Sequence, residues 1–562
     1  MPATHSINPM PPFRKPLSER TAILLLLLFA VALILPAAYL GLPENYDLGQ
    51  HLRFARTWHD EMASGNLIPL WGAADNAGLG SAGVRFYPPA THFMMGVIQF
   101  ASGSWYDTLW ITLLIWMFIG SIGVFRLASE WSSSTVALTS ALLYAIVPYH
   151  LMQVFQMFLL AEFIAAAIIP FCFLYAHRLI TEGGTTNILL FSIAYSGLVL
   201  THIPMTIIGT LSLGVFLLTF VSAENFRRLI YRFVPAFTIS LIATAFYWVR
   251  MVTEISWIKH NTPEYYATGP YNYSTYLFPI LYSAGEAYLP RLLWLIDVCI
   301  VATFVLFIPP LFVAISKKFK AQRHLTALLT VAGCSLFMMS ILSTPIWDNV
   351  SLIQKLQFPY RWLVPASLAA ALSFPIAVAA LAEGRAELSR AFAYPLLSIL
   401  IVVIVFDVSQ VIVPSAPVPR AEFERSVEKL DQEPACDCWW PMWASRDVMK
   451  NSERIFAGGR GFSISRWAST ERKFTVESGT SETVRIGTFF YPHWIASVNG
   501  LPTEVSKDSN GLIEIPIPTG TAEVTLEFRE PRVVIWSRFA SGAAICAIFL
   551  LFLFTTIRSR NP

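Results

Sequence analysis

The chain has 562 residues, 55% of them hydrophobic and only 13% charged, with a mean hydropathy of +0.56. A soluble chain would carry about 25% charged residues, so composition excludes a soluble globular protein and indicates a polytopic membrane protein. The net charge of +3 is too small to mark a nucleic-acid surface.

Residues 21–40 are the first apolar run, close to the roughly 20 residues a spanning helix needs. Arg14, Lys15 and Arg20 precede it, and Pro43 and Glu44 follow without a small-residue cleavage site. We read it as an uncleaved signal anchor. The loop 41–92 comes next and is the stretch densest in reactive and turn-forming side chains. Asp47 and His51 stand four apart near its start. Residues 48–64 read as an amphipathic interfacial helix. Leu48, Leu52, Ala55, His59 and Met62 fall on one face, and Gln50, Arg53, Arg56, Asp60 and Glu61 on the other. A loop with Gly78, Gly80 and Gly83 then closes on Arg85, Phe86, Tyr87, Pro88 and Pro89, with His92 beyond.

Further apolar segments fall near 88–102, 105–127, 133–149, 153–178, 187–203, 204–222, 228–250, 291–315, 322–345, 361–382, 392–413 and 535–555, thirteen with the first. Cationic residues cluster at Arg227, Arg228 and Arg232, at Lys317, Lys318, Lys320 and Arg323, at Arg385 and Arg390, and at Arg558 and Arg560. The positive-inside rule places these loops and both termini in the cytoplasm. Two termini on one side require an even number of crossings. The segment 88–102, short and opened by two prolines, is therefore expected to dip in and return or to lie in the interface, leaving about twelve spans. The next most doubtful is 133–149. Loops 41–92, 251–290 and 346–360 and the stretch 414–534 then face outward.

In 414–534 charge returns and apolar–polar alternation replaces long apolar runs. Strands are expected at 514–518 and 522–528, with turns at Asn499–Gly500 and Thr519–Gly520. The division that follows is 1–413 as the membrane domain, 414–534 as an outer β domain, and 535–562 as a last span with a cytoplasmic tail. Cys436 and Cys438 lie in a polar region and leave pairing open; the other four cysteines sit in apolar runs, and no zinc-ligand spacing appears.

Five places have side chains suited to chemistry. Asp47, just beyond a span, is placed to act as a general base or to cap the next helix. His51, Arg85 and His92 suit phosphate or sugar hydroxyls, or head groups. Glu162 lies deep in an apolar segment, where a carboxylate is a site hypothesis by default. His202 stands beside Pro204 at a break between spans, where broken backbone tends to line a cavity. Arg361, among aromatic residues at the mouth of a span, suits a lipid phosphate or an interfacial anchor, and Arg250 has the same two readings.

The run Asp47 to His51, Pro69–Leu70–Trp71, Gly78 and Gly80, Phe86–Tyr87–Pro88–Pro89, Ala161–Glu162, Leu200 to Pro204 and Gln357 to Arg361 occur in an order that resembles the GT-C glycosyltransferases. Within them the chain resembles bacterial 6-pyruvoyl-tetrahydropterin synthase-related membrane proteins and the YfhO-like group. The stretches Tyr491 to Trp494 and Val498 to Gly500 look like the YfhO-type outer β domain. The resemblance implies a mainly α, GT-C-like transmembrane bundle in the bacterial inner membrane. It implies transfer of a sugar from a polyprenyl-phosphate donor to a glycolipid, polysaccharide or protein acceptor, with inversion. Asp47 would be the catalytic base, and His51, Arg85, Tyr87, Glu162, His202 and Arg361 would bind substrate. Without an Asp-x-Asp pair in the first loop, no cofactor is expected beyond a weakly bound divalent cation. A transporter or flippase, or a glycan-assembly factor without chemistry, is the rival reading; a site centred at mid-membrane near Glu162 would favour transport. The expected partners are the lipid-linked sugar, membrane lipids and a glycan acceptor, with no nucleic acid.

Overall fold

The computed structural model describes residues 17–43, 47–279, 290–316, 323–382, 398, 401–415, 417–450 and 453–560. Up to residue 415 the described chain is almost entirely helical. Among the described residues seven helices are long and apolar enough to cross a membrane: Glu19–Tyr39, Trp105–Ser129, Ser134–Phe155, Leu160–Thr181, Arg291–Ile315, Pro359–Ala382 and Arg532–Thr555. An eighth arises if Phe226–Ala243 and Ala245–Trp257, bent by 70° at their break, form one span. The expected twelve are reached only if four shorter apolar helices, Thr185–Val199, Ile203–Leu218, Arg323–Met339 and Ile401–Ser415, also cross. The cationic residues 14–15, 317–320 and 385–390 lie outside the described residues.

The segment 88–102 folds as helix Ala90–Ser102, 13 residues laid along helix Leu48–Ala63. At 1.5 Å per residue it reaches about 20 Å, short of a hydrocarbon core of about 30 Å. The expected break near 150 moves. The chain runs Ser134–Ala145, turns, and resumes as Pro148–Phe155; it breaks at 156–159, where Phe158 takes φ +50°. Pro148 sits in the first turn of a helix, where its missing N–H costs nothing, so it starts a helix there.

Leu160–Thr181 and Leu363–Ala382 form the middle of the bundle, apolar on nearly every side and buried accordingly. Small residues let neighbours approach closely. A Cβ added at Gly120 would stand 3.0 Å from the Ala167 backbone.

The C-terminal β domain is narrower than 414–534. Residues 420–429 are helical, with Phe423 and Val427 four apart on the face that packs on helix Trp105–Ser129, and the 3-10 turn Leu430–Gln432 that follows packs on helix Leu48–Ala63. Its main strands run from β3 to β11, after a short clasp made by β1 (Leu42–Pro43) with β2 (Pro417–Val418). One sheet has the order β3 (Ile455–Phe456), β6 (Thr483–Phe489), β10 (Leu512–Pro516), β9 (Ser506–Lys507). The other has β4 (Phe462–Ala468), β5 (Glu471–Val476), β11 (Ala522–Phe528), β7 (Trp494–Val498), β8 (Leu501–Thr503). Every pairing among these is antiparallel. Asn499 and Gly500, both at positive φ, make the two-residue turn from β7 to β8, the backbone that matches strand twist. Phe474, Val476, Val524 and Leu526 point inward, alternating with exposed or half-exposed neighbours.

The first loop belongs to this core. Trp71, Leu79 and Phe86 join the apolar cluster of the strands, with Trp71 fully buried. Gly80, at φ +87°, lets the loop turn over the Trp71 indole, whose nitrogen would lie 2.0 Å from an added Cβ. Helix Leu48–Ala63 does not present its polar face to head groups, as expected for an interfacial helix. Arg53 is buried and donates to the Leu430 carbonyl, and Arg56 pairs with Asp431 at 2.7 Å. Residues 427–431 cover that face, because an arginine stem buries readily while its head finds carbonyl and carboxylate partners.

Candidate functional site

Asp47 opens helix Leu48–Ala63. His51 N donates to the Asp47 carbonyl over 2.9 Å, so the first turn closes on Asp47. With φ −93° and ψ −9° the residue is already in the helical region, and its side chain makes no cap bond. The carboxylate is therefore not used as a cap. Solvent reaches Asp47 although protein crowds it on nearly every side, which places it in a recess. That crowding pushes its carboxyl up to about 6, with Arg361 pulling it down and Glu162 adding to the rise.

Arg361 and Glu162 are the nearby charges. Helix Leu160–Thr181 carries Glu162 in its first turn, and the turn Pro359–Trp362 carries Arg361. Arg361 Nε donates to Glu162 Oε2 over 3.0 Å, with Glu162 1% and Arg361 6% exposed. Tyr149 Oη and Gln153 Nε2 donate to the other oxygen, Oε1, over 2.5 and 2.9 Å. The carboxylate charge is thus held by three donors, as a buried charge requires. Arg361 Nη1 donates to the Leu356 carbonyl over 2.6 Å, and the guanidinium lies 4.8 Å from the Phe358 ring centroid. Two of five guanidinium N–H groups are committed to described residues and three remain. Glu162 accordingly holds Arg361 in place.

The rest of the expected set lies around this pair, with one exception. Tyr87 interacts electrostatically with Asp47, Arg361 and Glu162, and burial holds its phenol above the ordinary range. His202 is near Arg361 and His51, and its Nδ1 accepts from Met205 N over 3.3 Å as the cap of helix Ile203–Leu218. His51 Nδ1 lies 2.9 Å from His92 Nε2, and the two rings stack at 5.2 Å. Burial lowers His51 to about 3, so the imidazole is neutral and adds no positive charge for a phosphate. It remains a buried hydrogen-bonding group. Trp439 closes the recess from the other side, 5.6 Å from Tyr87, 5.8 Å from Phe54 and stacked on His260 at 4.7 Å.

Arg85 is the exception. It is fully buried, and all its donors are engaged. Nε and Nη2 grip Glu254 at 2.8 and 2.7 Å; Nη1 and Nη2 grip Glu530 at 3.0 and 2.9 Å; Nη1 also reaches the Leu70 carbonyl at 3.1 Å. Tyr491 Oη donates to Glu254 Oε2 over 2.7 Å, and His493 Nε2 lies 3.0 Å from Oε1. Burial works against charge on Arg85, but Glu530, Tyr491 and Glu254 outweigh it and hold the guanidinium above its ordinary range. Burial likewise works to raise Glu530, but Arg85, Arg250 and Arg538 outweigh it and keep its carboxyl low. A substrate phosphate has no free donor here, which corrects the expectation that Arg85 binds substrate. Arg250 also belongs here, fully buried, 3.9 Å from Glu530. Ligand atoms of Glu254, His493 and Glu530 lie within 4.8 Å of one another, a spacing suited to a cation. The Arg85 guanidinium already supplies the positive charge there.

Sequence reasoning missed Tyr149, Gln153, Glu254, Glu530 and Trp439. The Tyr491–His493 stretch was noticed, but nothing local says that it seats on Glu254, 237 residues away. Cys436 and Cys438, left open by sequence, are bonded to each other, just before Trp439.

The folded chain is similar to three solved membrane proteins. One is ArnT from Cupriavidus metallidurans, solved bound to undecaprenyl phosphate, with TM-score 0.43, 12% identity, and 74% of this chain and 78% of ArnT covered. Another is the arabinofuranosyltransferase AftD from Mycobacteria, at 0.43 and 16% identity, covering 72% of this chain and 28% of AftD. The third is the arabinosyltransferase EmbB from Mycobacterium smegmatis, at 0.34 and 12%, covering 90% of this chain and 62% of EmbB. The chain therefore spans well under two thirds of AftD, and slightly under two thirds of EmbB. No curated protein matches it. The model of the 6-pyruvoyl-tetrahydropterin synthase related domain, a membrane protein family, matches residues 84–414, from the loop end at Arg85 through Glu162, His202 and Arg361. With more than half its length matched, the chain belongs to that membrane protein family.

Proposed function

We propose that this protein is a GT-C-type glycosyltransferase of the inner membrane, moving a sugar from a polyprenyl-phosphate donor to an extracytoplasmic glycan, glycolipid or protein acceptor. The observation that carries the reading is the convergence of a solvent-reached carboxylate, Asp47, with the spare N–H groups of Arg361 in one recess. In the transfer, the acceptor oxygen attacks the anomeric carbon while Asp47 takes its proton. The bond from that carbon to the phosphate oxygen breaks, and the electron pair leaves on the phosphate. Arg361, held by Glu162, faces the charge that develops there, the kind of electrostatic stabilisation that weighs most in such reactions. A single displacement inverts the anomeric centre. Glu162 belongs to the same cluster as Asp47, which supports transfer over transport.

In this reading the first loop and the β domain face outward and both termini face the cytoplasm. The test is a comparison of glycolipids, by mass spectrometry, from a deletion strain, its parent, and the deletion strain carrying Asp47→Asn. A glycolipid lost on deletion and not restored by the variant supports the reading. Full restoration by Asp47→Asn would overturn it.

A further inference from the structure

A second polar cavity lies away from Asp47, between residues 73–79 of the first loop and the outer domain. Its volume is about 330 Å³, and its outer-domain wall is Glu453, Arg454, Trp467 and Gly487. That is the lower end of small-molecule sites, too small for a polypeptide or a lipid tail. Trp467 on β4 pairs across the strands with Arg472 on β5. The Arg472 guanidinium lies 4.8 Å from the Trp467 ring centroid and 5.4 Å from that of Trp494, and Arg454 lies 5.6 Å from Trp467.

The charge here is unbalanced. Arg472 is 0% exposed, donates from Nη1 to the Glu471 carbonyl over 3.1 Å, and leaves Nε and Nη2 without partners. Among the described residues neither Arg472 nor Arg454 forms an ion pair. Burial, and next the Arg454 charge, lower Arg472 to about 10. A buried guanidinium with spare donors and no carboxylate is costly, and an anion nearby would offset that cost. Arg454 is exposed at the cavity, its planar fork suited to a carboxylate or phosphate. Glu453, also exposed, is an acceptor suited to hydrogen bonds from hydroxyls, and Trp467 offers an apolar ring edge. At Gly78 a Cβ would meet nothing within 4 Å, so the loop wall is open there.

We propose that this cavity is a subsite for an acidic sugar, one bearing a carboxylate or a phosphate, with Arg454 holding the anionic group, Trp467 packing on the ring and Glu453 holding hydroxyls. Its assignment to the acceptor glycan rests on the glycosyltransferase reading; the binding itself does not.

The test uses the full chain in nanodiscs and saturation-transfer NMR with glucuronate, glucose 6-phosphate and glucose, and with inorganic phosphate read by its displacement of bound glucuronate. Glucuronate or glucose 6-phosphate should bind saturably, and glucose and inorganic phosphate at least about tenfold more weakly, the scale of one charge-assisted contact. Arg454→Ala, at an exposed side chain, should weaken acidic-sugar binding about tenfold or more. Ala74→Trp should fill the space and abolish it. Asp47→Asn should leave it unchanged. No saturable acidic-sugar binding, equal binding of glucose, equal binding of inorganic phosphate, or indifference to Arg454→Ala would each overturn the subsite. Acidic-sugar binding by a parent protein that transfers no sugar from any polyprenyl-phosphate donor would overturn the glycosyltransferase reading and leave the subsite standing.

Discussion

Two buried arginine–glutamate pairs stand where the helices meet the first loop, and they differ in what each leaves uncommitted. Arg85 is held by Glu254 and Glu530 together, with Tyr491 and His493 on the same carboxylate. Arg361 is held by Glu162 and one carbonyl, with Asp47 close by, its carboxylate making no hydrogen bond to described residues. The first centre is saturated and ties the loop to the outer domain. The second has a carboxylate and guanidinium N–H groups to spare, which is what a substrate needs. A buried arginine thus signals chemistry only after its donors have been counted.

Asp47→Asn should break the open centre with the largest effect. The amide keeps the size and cannot take a proton, so transfer should fall by about 10²–10⁴-fold while folding and donor binding persist. Radiolabelled donor turnover in purified protein measures it; near-normal turnover would return Asp47 to a structural role. Next comes the saturated centre. Arg85→Ala removes one partner from two buried carboxylates and should cost about 3–5 kcal/mol of stability. Thermal unfolding in detergent reads this, with Glu254→Gln as a milder companion. If both variants unfold like the parent, the centre does not hold the outer domain.

The contrast between the two centres was only half legible in the chain. Asp47, Tyr87, Glu162, His202 and Arg361 could be singled out because each is a polar group at a span end or inside an apolar run, where it is costly and therefore informative. Arg85 looked the same by that criterion. Its partners Glu254 and Glu530 lie 169 and 445 residues away, and no local pattern announces such a pairing. Spans and strands were visible from apolar length and alternation, but the helical cover at 420–429 was not. Its apolar face is only Phe423 and Val427, too few in a charged stretch to stand out, and it seats on helix Trp105–Ser129, more than 290 residues earlier.

Arg361→Lys sharpens the comparison more gently. It keeps charge but loses the planar fork, and its contact with Glu162 loosens. The KM for the lipid donor should rise about tenfold, with little change in melting; an unchanged KM would make Arg361 an anchor only. The smallest effect expected is on pH. Crowding raises the Asp47 carboxyl to about 6, so the base form is lost as pH falls through that value. Transfer should decline below about pH 6, and the decline should vanish from the residual rate of Asp47→Asn. A profile flat from pH 5 to 8 in the parent would mean that Asp47 keeps an ordinary carboxyl.

The clasp between Leu42–Pro43 and Pro417–Val418 has a consequence for synthesis. Translation proceeds from the amino end, and early segments ordinarily fold while later ones are still being made. Here the first loop cannot settle early, since its strand, its arginine and its tryptophan all wait for partners made hundreds of residues later. Closing so long a loop adds little entropy cost, because that cost grows only with the logarithm of length. Timing is what changes: a nascent chain lacking the outer domain has an unroofed recess. A ribosome-stalled chain ending before residue 417 would insert its helices and yet hold no finished site.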